Sequence, residues 1–281
     1  MRVVSSIADV RAAVRAARRD GRTIGIVPTM GFLHDGHLAL VDEARRRAGF
    51  VVMTVFVNPL QFAPTEDLAR YPRDPEGDGA KARARGVDLL FTPALEEMYP
   101  LERRVEVVPR QLHQRWEGAV RPGHFAGVLT VVAKLFNIVE PDVAIFGQKD
   151  VQQATLIAAM VRDLDFPIEV IVAAITREPD GLAMSSRNVY LAQDDRQRAT
   201  ALSRAMFSIR DAFRAGERDV IRLTAHATQI LAAEPSIVVD YLALADAATL
   251  EPATVVDATT VAMVAARVGR TRLLDNIILG A

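Results

Sequence analysis

Residues 22–41, RTIGIVPTMGFLHDGHLALV, constrain the fold of this chain more than any other segment, because an apolar run, a tight turn and an amphipathic pattern follow one another. The apolar run ends at Pro28, and the turn carries His34 and His37 around Gly36. This order predicts a buried strand, a glycine-bearing loop and the start of a helix. The first turn of a helix has backbone N–H groups without partners and the positive end of the helix dipole, so it attracts phosphate.

His34 and His37 have alternative interpretations. As phosphate ligands they would add two hydrogen-bond donors to the turn, and Gly36, which has no side chain, would let a ligand approach the backbone. As structural residues they would only cap the helix, which is the usual role of an isolated pair with this spacing. A zinc site is disfavoured, because helical zinc pairs favour a spacing of four residues and the chain has no cysteine as a further ligand.

Composition limits the class of protein. With 281 residues, half of them apolar and a quarter charged, the chain is long enough for two domains with a substantial core. Its formal net charge of −1 argues against a nucleic-acid partner, and the absence of cysteine excludes disulfides and thiolate catalysis. The N-terminal segment has no apolar signal core, and no window approaches the roughly 18 apolar residues of a membrane span, so we expect a cytoplasmic protein with no membrane partner.

Strand and helix patterns alternate along roughly the first 175 residues. An opening helix is predicted after Ser6, and further helices lie between the predicted strands, which are TIGIVPT, FVVMTVFVN, VDLLF, VAIFG and IEVIVAAI. This alternation predicts an α/β fold with a doubly wound, Rossmann-like parallel sheet, whose ligands bind at the carboxyl ends of the strands. Prolines between residues 59 and 78 favour a binding loop or lid there, and residues 92–124 are predicted irregular apart from a short strand at VEVV, residues 105–108.

The pattern changes after Thr176. The loop REPDGLAMSSRN contains the turn residues of a hinge, and amphipathic helices are predicted at about 194–215 and 220–233, before β-rich runs with alternating polarity. We therefore expect a Rossmann-like, ligand-binding domain at 1–176 and a smaller α+β lid domain at 177–281.

Polar side chains are concentrated in four segments, of which three follow predicted strands and the fourth lies at the predicted domain boundary. These segments are PTMGFLHDGH (28–37), NPLQF (58–62), FGQKD (146–150) and MSSRN (184–188). We expect a parallel sheet to bring the first three to one edge, and the second domain to bring the fourth to them.

At these segments the chain closely resembles the pantothenate synthetase (pantoate–β-alanine ligase) family of nucleotidylyltransferases. HDGH corresponds to the HIGH-type motif and MSSRN to the KMSKS-type motif, and the stretch from RPGHF to FGQKDVQQ extends the likeness over essentially the whole length. Phe32, Asp35 and Ala39 stand where the family pattern leads us to expect Ala, Glu and Ser. None of these departures removes a proposed hydrogen-bond donor.

The resemblance implies an ATP-dependent condensation of (R)-pantoate with β-alanine in the coenzyme A pathway. Pantoate and ATP would form pantoyl adenylate and pyrophosphate, and β-alanine would then displace AMP. A carboxylate is already ionised at neutral pH, so the first step needs phosphate neutralisation and alignment more than a catalytic base. The resemblance also implies Mg²⁺ bound with ATP, without identified protein ligands, and a homodimer.

The resemblance also implies the site residues. The candidates for catalysis are His34, His37, Lys149, Ser185, Ser186 and Arg187. The ATP site would include these residues together with Met30, Gly31, Phe32, Leu33, Asp35, Gly36, Gly147, Gln148, Asp150, Thr176 and Met184. The candidates for binding pantoate or β-alanine are Gln61, Gln153, Asn58, Arg121 and His124.

Each of these candidates also has a structural interpretation. Taken alone, Lys149 is typical of a salt-bridged surface lysine. The segment MSSRN is typical of a plain hinge turn, and Gln153 is typical of a surface glutamine on a helix. Asn58 would order its loop, and Arg121 and His124 would cap a helix. Two other functions remain open at this stage: a different adenylyl or cytidylyl transferase on the same fold, and a nucleotide-sensing or RNA-binding module without turnover.

Overall fold

The computed structural model describes residues 1–99 and 103–281, which form two compact units that we describe separately. The first unit comprises Met1–Gln114, Arg121–Gly147 and Leu156–Ala173, and the second comprises Arg115–Val120, Gln148–Thr155 and Ala174–Ala281. The helices are α1 (Ile7–Arg19), α2 (Asp35–Arg47), α3 (Pro75–Ala84), α4 (Leu95–Met98), α5 (Glu117–Val120), α6 (His124–Val139), α7 (Val151–Asp163), α8 (Gln193–Arg198), α9 (Thr200–Arg214) and α10 (Val220–Ala232). Within these described parts of the chain, no helix combines the length and the apolar character needed to cross a membrane.

The first unit is built on a six-stranded parallel sheet. Its strands are β1 (Arg2–Val4), β2 (Ile24–Thr29), β3 (Phe50–Val55), β4 (Leu89–Phe91), β5 (Val143–Gly147) and β6 (Glu169–Ala173), in the spatial order β1-β4-β3-β2-β5-β6. From β2 the chain continues to β3 on one side, and later to β5 on the other side. The carboxyl ends of β2 and β5 therefore flank the point where the strand order reverses, which is where doubly wound sheets bind ligands.

Both faces of this sheet are covered, as its nearly continuous apolar strands require. Ile26 and Val52 pack with the buried residues of α1, α6 and α7, whereas Val27 and Met53 pack with those of α2 and α3. Neighbouring residues of one strand thus enter different cores, since successive side chains of a strand point to opposite faces. The predicted doubly wound α/β fold is confirmed.

Local signals explain where α1 begins and ends. The Ser6 hydroxyl accepts a hydrogen bond from the Asp9 N–H at 3.1 Å and so caps the helix. Val10, Val14 and Ala17 form its buried stripe. Gly21 follows the helix with φ +74°, a left-handed conformation that glycine adopts without a steric penalty.

The second unit contains a three-stranded antiparallel sheet in the order β7-β8-β9. The strands are β7 (Ile237–Asp246), β8 (Thr260–Val268) and β9 (Thr271–Ile278). Apolar residues of α9 and α10, among them Leu202, Met206 and Leu223, pack against the sheet and form a separate core. This is the smaller α+β arrangement that the β-rich runs predicted.

Some elements differ from the prediction. VEVV is not a strand: the Val107 N–H donates to the Thr130 hydroxyl on α6 at 3.0 Å, and Val105 is 82% exposed. The single helix predicted at 194–215 is divided at Ala199 into α8 and α9, where the Thr200 hydroxyl bonds the Gln197 carbonyl. The short elements β1, α4 and α5 were not predicted, because three or four residues show no periodicity. Residues 100–102 of the predicted irregular stretch lie outside the described residues.

The compact units also differ from one predicted boundary after Thr176. The second unit starts at Ala174 and takes in two earlier segments, Arg115–Val120 and Gln148–Thr155. Hydrogen bonds explain this grouping, because the Trp116 indole donates to the Leu250 carbonyl at 3.0 Å and the Thr155 hydroxyl donates to the Ala247 carbonyl at 3.2 Å. Lys149, which precedes α7, thus belongs with the second unit.

Candidate active site

The turn after β2 is held by hydrogen bonds on both of its sides. The Thr29 hydroxyl donates to the Thr54 carbonyl of β3 at 2.6 Å and accepts from the Gly31 N–H at 3.2 Å. Gly31 and Phe32 follow with φ values of +86° and +52°. A left-handed Phe is uncommon and costs about 1–2 kcal/mol, so the surrounding contacts must hold this conformation.

His34 and His37 begin α2 and cap it. The Gly36 N–H donates to His34 Nδ1 at 3.1 Å, the His34 N–H donates to His37 Nδ1 at 3.4 Å, and the ring centroids lie 4.1 Å apart. Since each Nδ1 accepts a hydrogen bond, the proton of each neutral ring is on Nε2. Capping therefore uses one nitrogen of each imidazole and makes the other a donor, which reconciles the two interpretations of this pair.

Asp78, which the sequence did not identify as a site residue, binds the backbone of the turn after β2. Asp78 on α3 is buried, and its oxygens accept from the N–H groups of Phe32 at 2.8 Å and Leu33 at 2.7 Å. The Lys81 ammonium donates to the Leu33 carbonyl at 2.9 Å. The sequence offered no signal for these contacts beyond the acidic first turn of α3.

The side chain of Leu33, a predicted nucleotide contact, lies in the core. Its side chain is 2% exposed and packs among the buried residues of α2 and β3, and its backbone N–H and carbonyl both bond within the protein. These contacts favour a core role for the Leu33 side chain, and its contact with the nucleotide stays a prediction. Its neighbours Met30, Phe32, Asp35 and Gly36 are not buried.

Gln61 lies beside the histidine turn, so the structure brings two of the predicted segments together. The Gln61 amide donates from Nε2 to the Met30 sulfur at 3.2 Å, and its Oε1 accepts from Asn58 Nδ2 at 3.0 Å. Both contacts fix the orientation of the Gln61 amide, which is a requirement for a side chain that recognises hydroxyl and carboxylate groups.

The contacts of Asn58 support the structural one of its two interpretations, and a contact with pantoate stays a prediction. It is 1% exposed, and its Nδ2 donates to Gln61 Oε1 and to the Gly127 carbonyl at 3.1 Å. Its Oδ1 accepts from the Tyr99 hydroxyl at 2.7 Å and from the Leu60 N–H at 3.3 Å. Burial raises the pKa of Tyr99, which keeps this hydroxyl protonated as a donor. The hydrogen-bonding capacity of the Asn58 amide is thus used within the protein.

Arg121 and His124 contact the backbone carbonyl of Gln61. His124 Nδ1 lies 2.8 Å from the Gln61 carbonyl, which accepts, so Nδ1 carries the proton and Nε2 accepts from Arg121 at 3.1 Å. Arg121 also donates to the Gln61 carbonyl at 3.2 Å and forms two hydrogen bonds with the Glu66 carboxylate at 2.7 and 2.8 Å. Burial alone would raise the pKa of Glu66, but the hydrogen bonds and charge of Arg121 outweigh it and lower that pKa.

The second unit contains the remaining candidates except Gly147, which ends β5 in the first unit. Gln148–Asp150 form one turn of 3₁₀ helix directly before α7, and the Lys149 ammonium lies 3.9 Å from the Asp150 carboxylate. Gln153 lies on α7 and is half-buried. Trp116 is half-buried and packs near Tyr241.

A short hairpin carries Thr176 and Met184. The Met184 N–H donates to the Thr176 carbonyl at 3.0 Å, and the Glu178 N–H donates to the Leu182 carbonyl at 2.8 Å. Ser185 then caps a 3₁₀ helix at Ser186–Tyr190, because its hydroxyl accepts from the Arg187 N–H at 3.2 Å. The MSSRN segment thus forms an ordered cap. Among the described residues, no three His, Asp or Glu side chains cluster as a metal site.

These features define a nucleotide-binding type of α/β protein. A doubly wound sheet presents a helix N-terminus with two imidazoles beside the reversal of strand order, where phosphate is favoured. The family model described as Pantoate-beta-alanine ligase matches residues 2–278. The chain belongs to this family, and the resemblance drawn from its motifs is confirmed.

Relatives and solved structures agree with this assignment. The chain is 49% identical over 279 residues to the pantothenate synthetase of Desulfitobacterium hafniense, with 99% of both chains covered. A pantothenate synthetase structure from Thermus thermophilus is 48% identical and superposes with a TM-score of 0.95 over 100% of both chains. A pantoate-beta-alanine ligase from Francisella tularensis, complexed with beta-gamma ATP and beta-alanine, is 29% identical with a TM-score of 0.82, covering 100% of this chain and 98% of that one.

Proposed function

We propose that this chain is an ATP-dependent ligase that condenses (R)-pantoate with β-alanine to pantothenate. The observation that carries the proposal is the match of the whole chain, residues 2–278, to the pantoate–β-alanine ligase family. The histidine turn beside the reversal of strand order supports it independently, since this position favours phosphate.

In the proposed first step, a pantoate carboxylate oxygen attacks the α-phosphorus of ATP. A bond forms between that oxygen and phosphorus, the bond to the bridging oxygen breaks, and pyrophosphate leaves with the electron pair. The nucleophile is ionised at neutral pH, so the protein mainly has to align the reactants and stabilise charge on the leaving group.

The proposed donors to the phosphates are the catalytic candidates that the family's motifs imply. In the first unit they are His34 and His37, each of which donates through Nε2–H. The turn from Met30 to Gly36, apart from the Leu33 side chain, lies beside the nucleotide in this proposal. In the second unit they are Lys149, Ser185, Ser186 and Arg187, with Gln148, Asp150, Thr176 and Met184 as further nucleotide contacts. Gly147, the last residue of β5, completes the proposed ATP site. An ammonium and a guanidinium suit phosphate oxygens because both are cations with several N–H donors.

The proposed pantoate contacts are the amides of Gln61 and Gln153. Each amide can donate to a carboxylate and accept from a hydroxyl. In the second step the β-alanine amine attacks the acyl carbon of pantoyl adenylate, the C–N bond forms, the bond to AMP breaks and the amine loses a proton. A relative complexed with beta-gamma ATP and beta-alanine supports this choice of substrates.

Three further features belong to this proposal. ATP enters as its Mg²⁺ complex, in which the phosphates hold the ion and it offsets their charge. The protein is cytoplasmic and forms a homodimer, and light scattering should give twice the 30.7 kDa chain mass. A monomer mass across micromolar concentrations would contradict the dimer.

The first step provides the test. Folded protein with ATP, Mg²⁺ and pantoate, but without β-alanine, should release pyrophosphate in proportion to pantoate, and addition of β-alanine should produce pantothenate and AMP. Other hydroxy acids and nucleotide acceptors serve as controls, and release with one of them instead of pantoate would favour a different nucleotidyl transferase. No pyrophosphate with any acceptor would contradict the proposed activity.

A further inference from the structure

Two buried polar residues interrupt the last strand of the second unit. Asp275 and Asn276 lie side by side on β9 and are each 2% exposed, within the otherwise apolar run Leu273 to Ile278. Burying a carboxylate and an amide is costly unless their hydrogen bonds are satisfied. Their partners therefore indicate what these residues do.

Asn276 bonds the turn that carries Lys149. Its Nδ2 donates to the carbonyls of Gln148 and Lys149, both at 2.9 Å, and its Oδ1 accepts from Gln148 Nε2 at 3.1 Å. All three hydrogen bonds of this side chain end on two consecutive residues. The amide thus fixes the backbone from which the Lys149 side chain extends.

Asp275 bonds the hairpin that leads to MSSRN. Arg177 donates to both carboxylate oxygens, at 2.7 and 2.9 Å, and also to the carbonyls of Gly181 at 3.0 Å and Asn276 at 3.3 Å. Arg177 directly follows Thr176, so the ion pair holds the base of the hairpin. Burial raises the pKa of Asp275, and the charges of Arg177 and Lys149 oppose that rise.

We propose that Asp275 and Asn276 are a positioning pair that holds the Lys149 turn and the Thr176–Arg187 segment in one fixed arrangement. The proposal rests on the proposed function, in which both segments supply donors to the phosphates of ATP. Neither residue needs to touch substrate. Donors that are already in place stabilise developing charge without reorganisation, and a displacement of about 1 Å can cost about 10²-fold in rate.

The test compares Asn276→Ala with Asp240→Asn. The control removes a carboxylate that accepts from Arg272 Nε at 2.6 Å in the same sheet, without a contact to Lys149. For Asn276→Ala we expect pantoate-dependent pyrophosphate release to fall about 10-fold or more, the KM for ATP to rise, and the KM for pantoate to change less than about twofold. Asp240→Asn should keep all three values, whatever its effect on Tm.

A double substitution separates positioning from general stability. If Asn276 acts through Lys149, Asn276→Ala should reduce the rate much less in a Lys149→Ala background than in the wild type. Amide exchange should also increase in peptides covering 148–155 more than in β7. Additive effects, or an Asn276→Ala enzyme with wild-type kinetics, would overturn the proposal.

A second variant and a measurement of ATP binding test the proposal if Asn276→Ala does not fold or the wild type shows no activity. If Asn276→Ala does not fold, Asn276→Ser carries the same comparison, because a hydroxyl can replace one donor. If the wild type releases no pyrophosphate, the proposed function fails, and calorimetric titration with ATP still decides the positioning role. Weaker ATP binding by the Asn276 variant than by Asp240→Asn supports it, and equal binding overturns it.

Discussion

At the scale of single residues, the two imidazoles use one ring nitrogen for the helix cap and leave the other for the contact with phosphate that we propose. In His34 and His37, Nδ1 completes the cap of α2, and this hydrogen bond assigns the remaining proton to Nε2. The cap thus selects the tautomer that presents a donor. Each role belongs to a different atom, so substitutions can separate them.

His37→Gln and His37→Asn test this separation. A Gln amide nitrogen can take the place of Nε2, whereas an Asn oxygen can take the place of Nδ1 and preserve the cap. If Nε2–H stabilises the leaving group, His37→Asn should lose about 10²-fold in kcat while its Tm stays near that of the wild type. His37→Gln should retain more activity but lose up to about 1 kcal/mol of stability with the cap. Steady-state kinetics measure the activities, and thermal unfolding measures the stabilities. If His37→Asn were more active than His37→Gln, His37 would serve only as a helix cap.

Asp78→Asn tests the fastening of the turn. An Asn oxygen can accept only one of the two N–H groups that Asp78 binds, and its NH₂ would face the other, so we expect a loss of about 1–3 kcal/mol. The displaced turn should raise the KM for ATP more than the KM for pantoate. Asp88→Asn is the matched control, because Asp88 accepts from the Val51 N–H at 2.8 Å near the start of β3. Equal kinetic effects of the two substitutions would contradict a specific role for Asp78.

At the scale of elements, the packing of α6 against the 3₁₀ turn Pro59–Gln61 sets the position of Gln61. A Cβ on Gly127 would lie 2.2 Å from the Leu60 carbonyl oxygen and 2.7 Å from the Gln61 nitrogen. The backbones of helix and turn are therefore closer than any residue with a side chain permits. Arg121 and His124 then bond the Gln61 carbonyl from the same end of α6.

Gly127→Ala should force these two elements apart. Since the obstacle is backbone, we expect overpacking to cost about 1–3 kcal/mol or more and the KM for pantoate to rise, because Gln61 moves. Gly79→Ala on α3 is the control: its Cβ would meet nothing within 4 Å, and alanine should stabilise the helix by about 0.5–1 kcal/mol. Urea unfolding and kinetics with varied pantoate measure both. An unchanged KM in a destabilised Gly127→Ala enzyme would show that the contact is structural only.

At the scale of the whole molecule, the chain enters the second unit three times. The first entry, Arg115–Val120, is held by Glu117, which is buried and forms two hydrogen bonds with Arg272 of β9 at 2.7 and 2.8 Å. Asp240 completes this ion cluster on the other side of Arg272. This ion pair thus joins a segment that lies far from β9 in sequence to that strand, in addition to the hydrogen bond from Trp116 to Leu250.

Glu117→Gln should destabilise the protein strongly, and Glu251→Gln should not. Glu117→Gln removes a buried carboxylate that accepts two charge-assisted hydrogen bonds and leaves Arg272 with only the Asp240 carboxylate, so we expect a loss of about 3 kcal/mol in the free energy of unfolding. Glu251 pairs with Arg115 of the same segment but is exposed, so its loss should cost less than about 1 kcal/mol. Urea denaturation checks this difference. Similar small losses would show that Glu117 does not anchor the segment.

The amino-acid sequence by itself determined the kinds of elements, the doubly wound sheet and the motif residues. These depend on local information: apolar periodicity, prolines, caps, and short polar segments that stand at the ends of strands. VEVV shows the limit, because a β-rich pattern becomes a strand only when a neighbouring strand is available for pairing.

Only the tertiary structure decided which polar residues support the site. Leu33 entered the core and Asn58 became a structural amide, while Asp78 acquired partners 45 and 46 residues away and Asn276 acquired partners 127 and 128 residues away. No local pattern encodes such pairs, because a hydrogen bond depends on where folding places two distant backbones. The sequence names the groups that can do the chemistry, and long-range packing selects the residues that hold them in place.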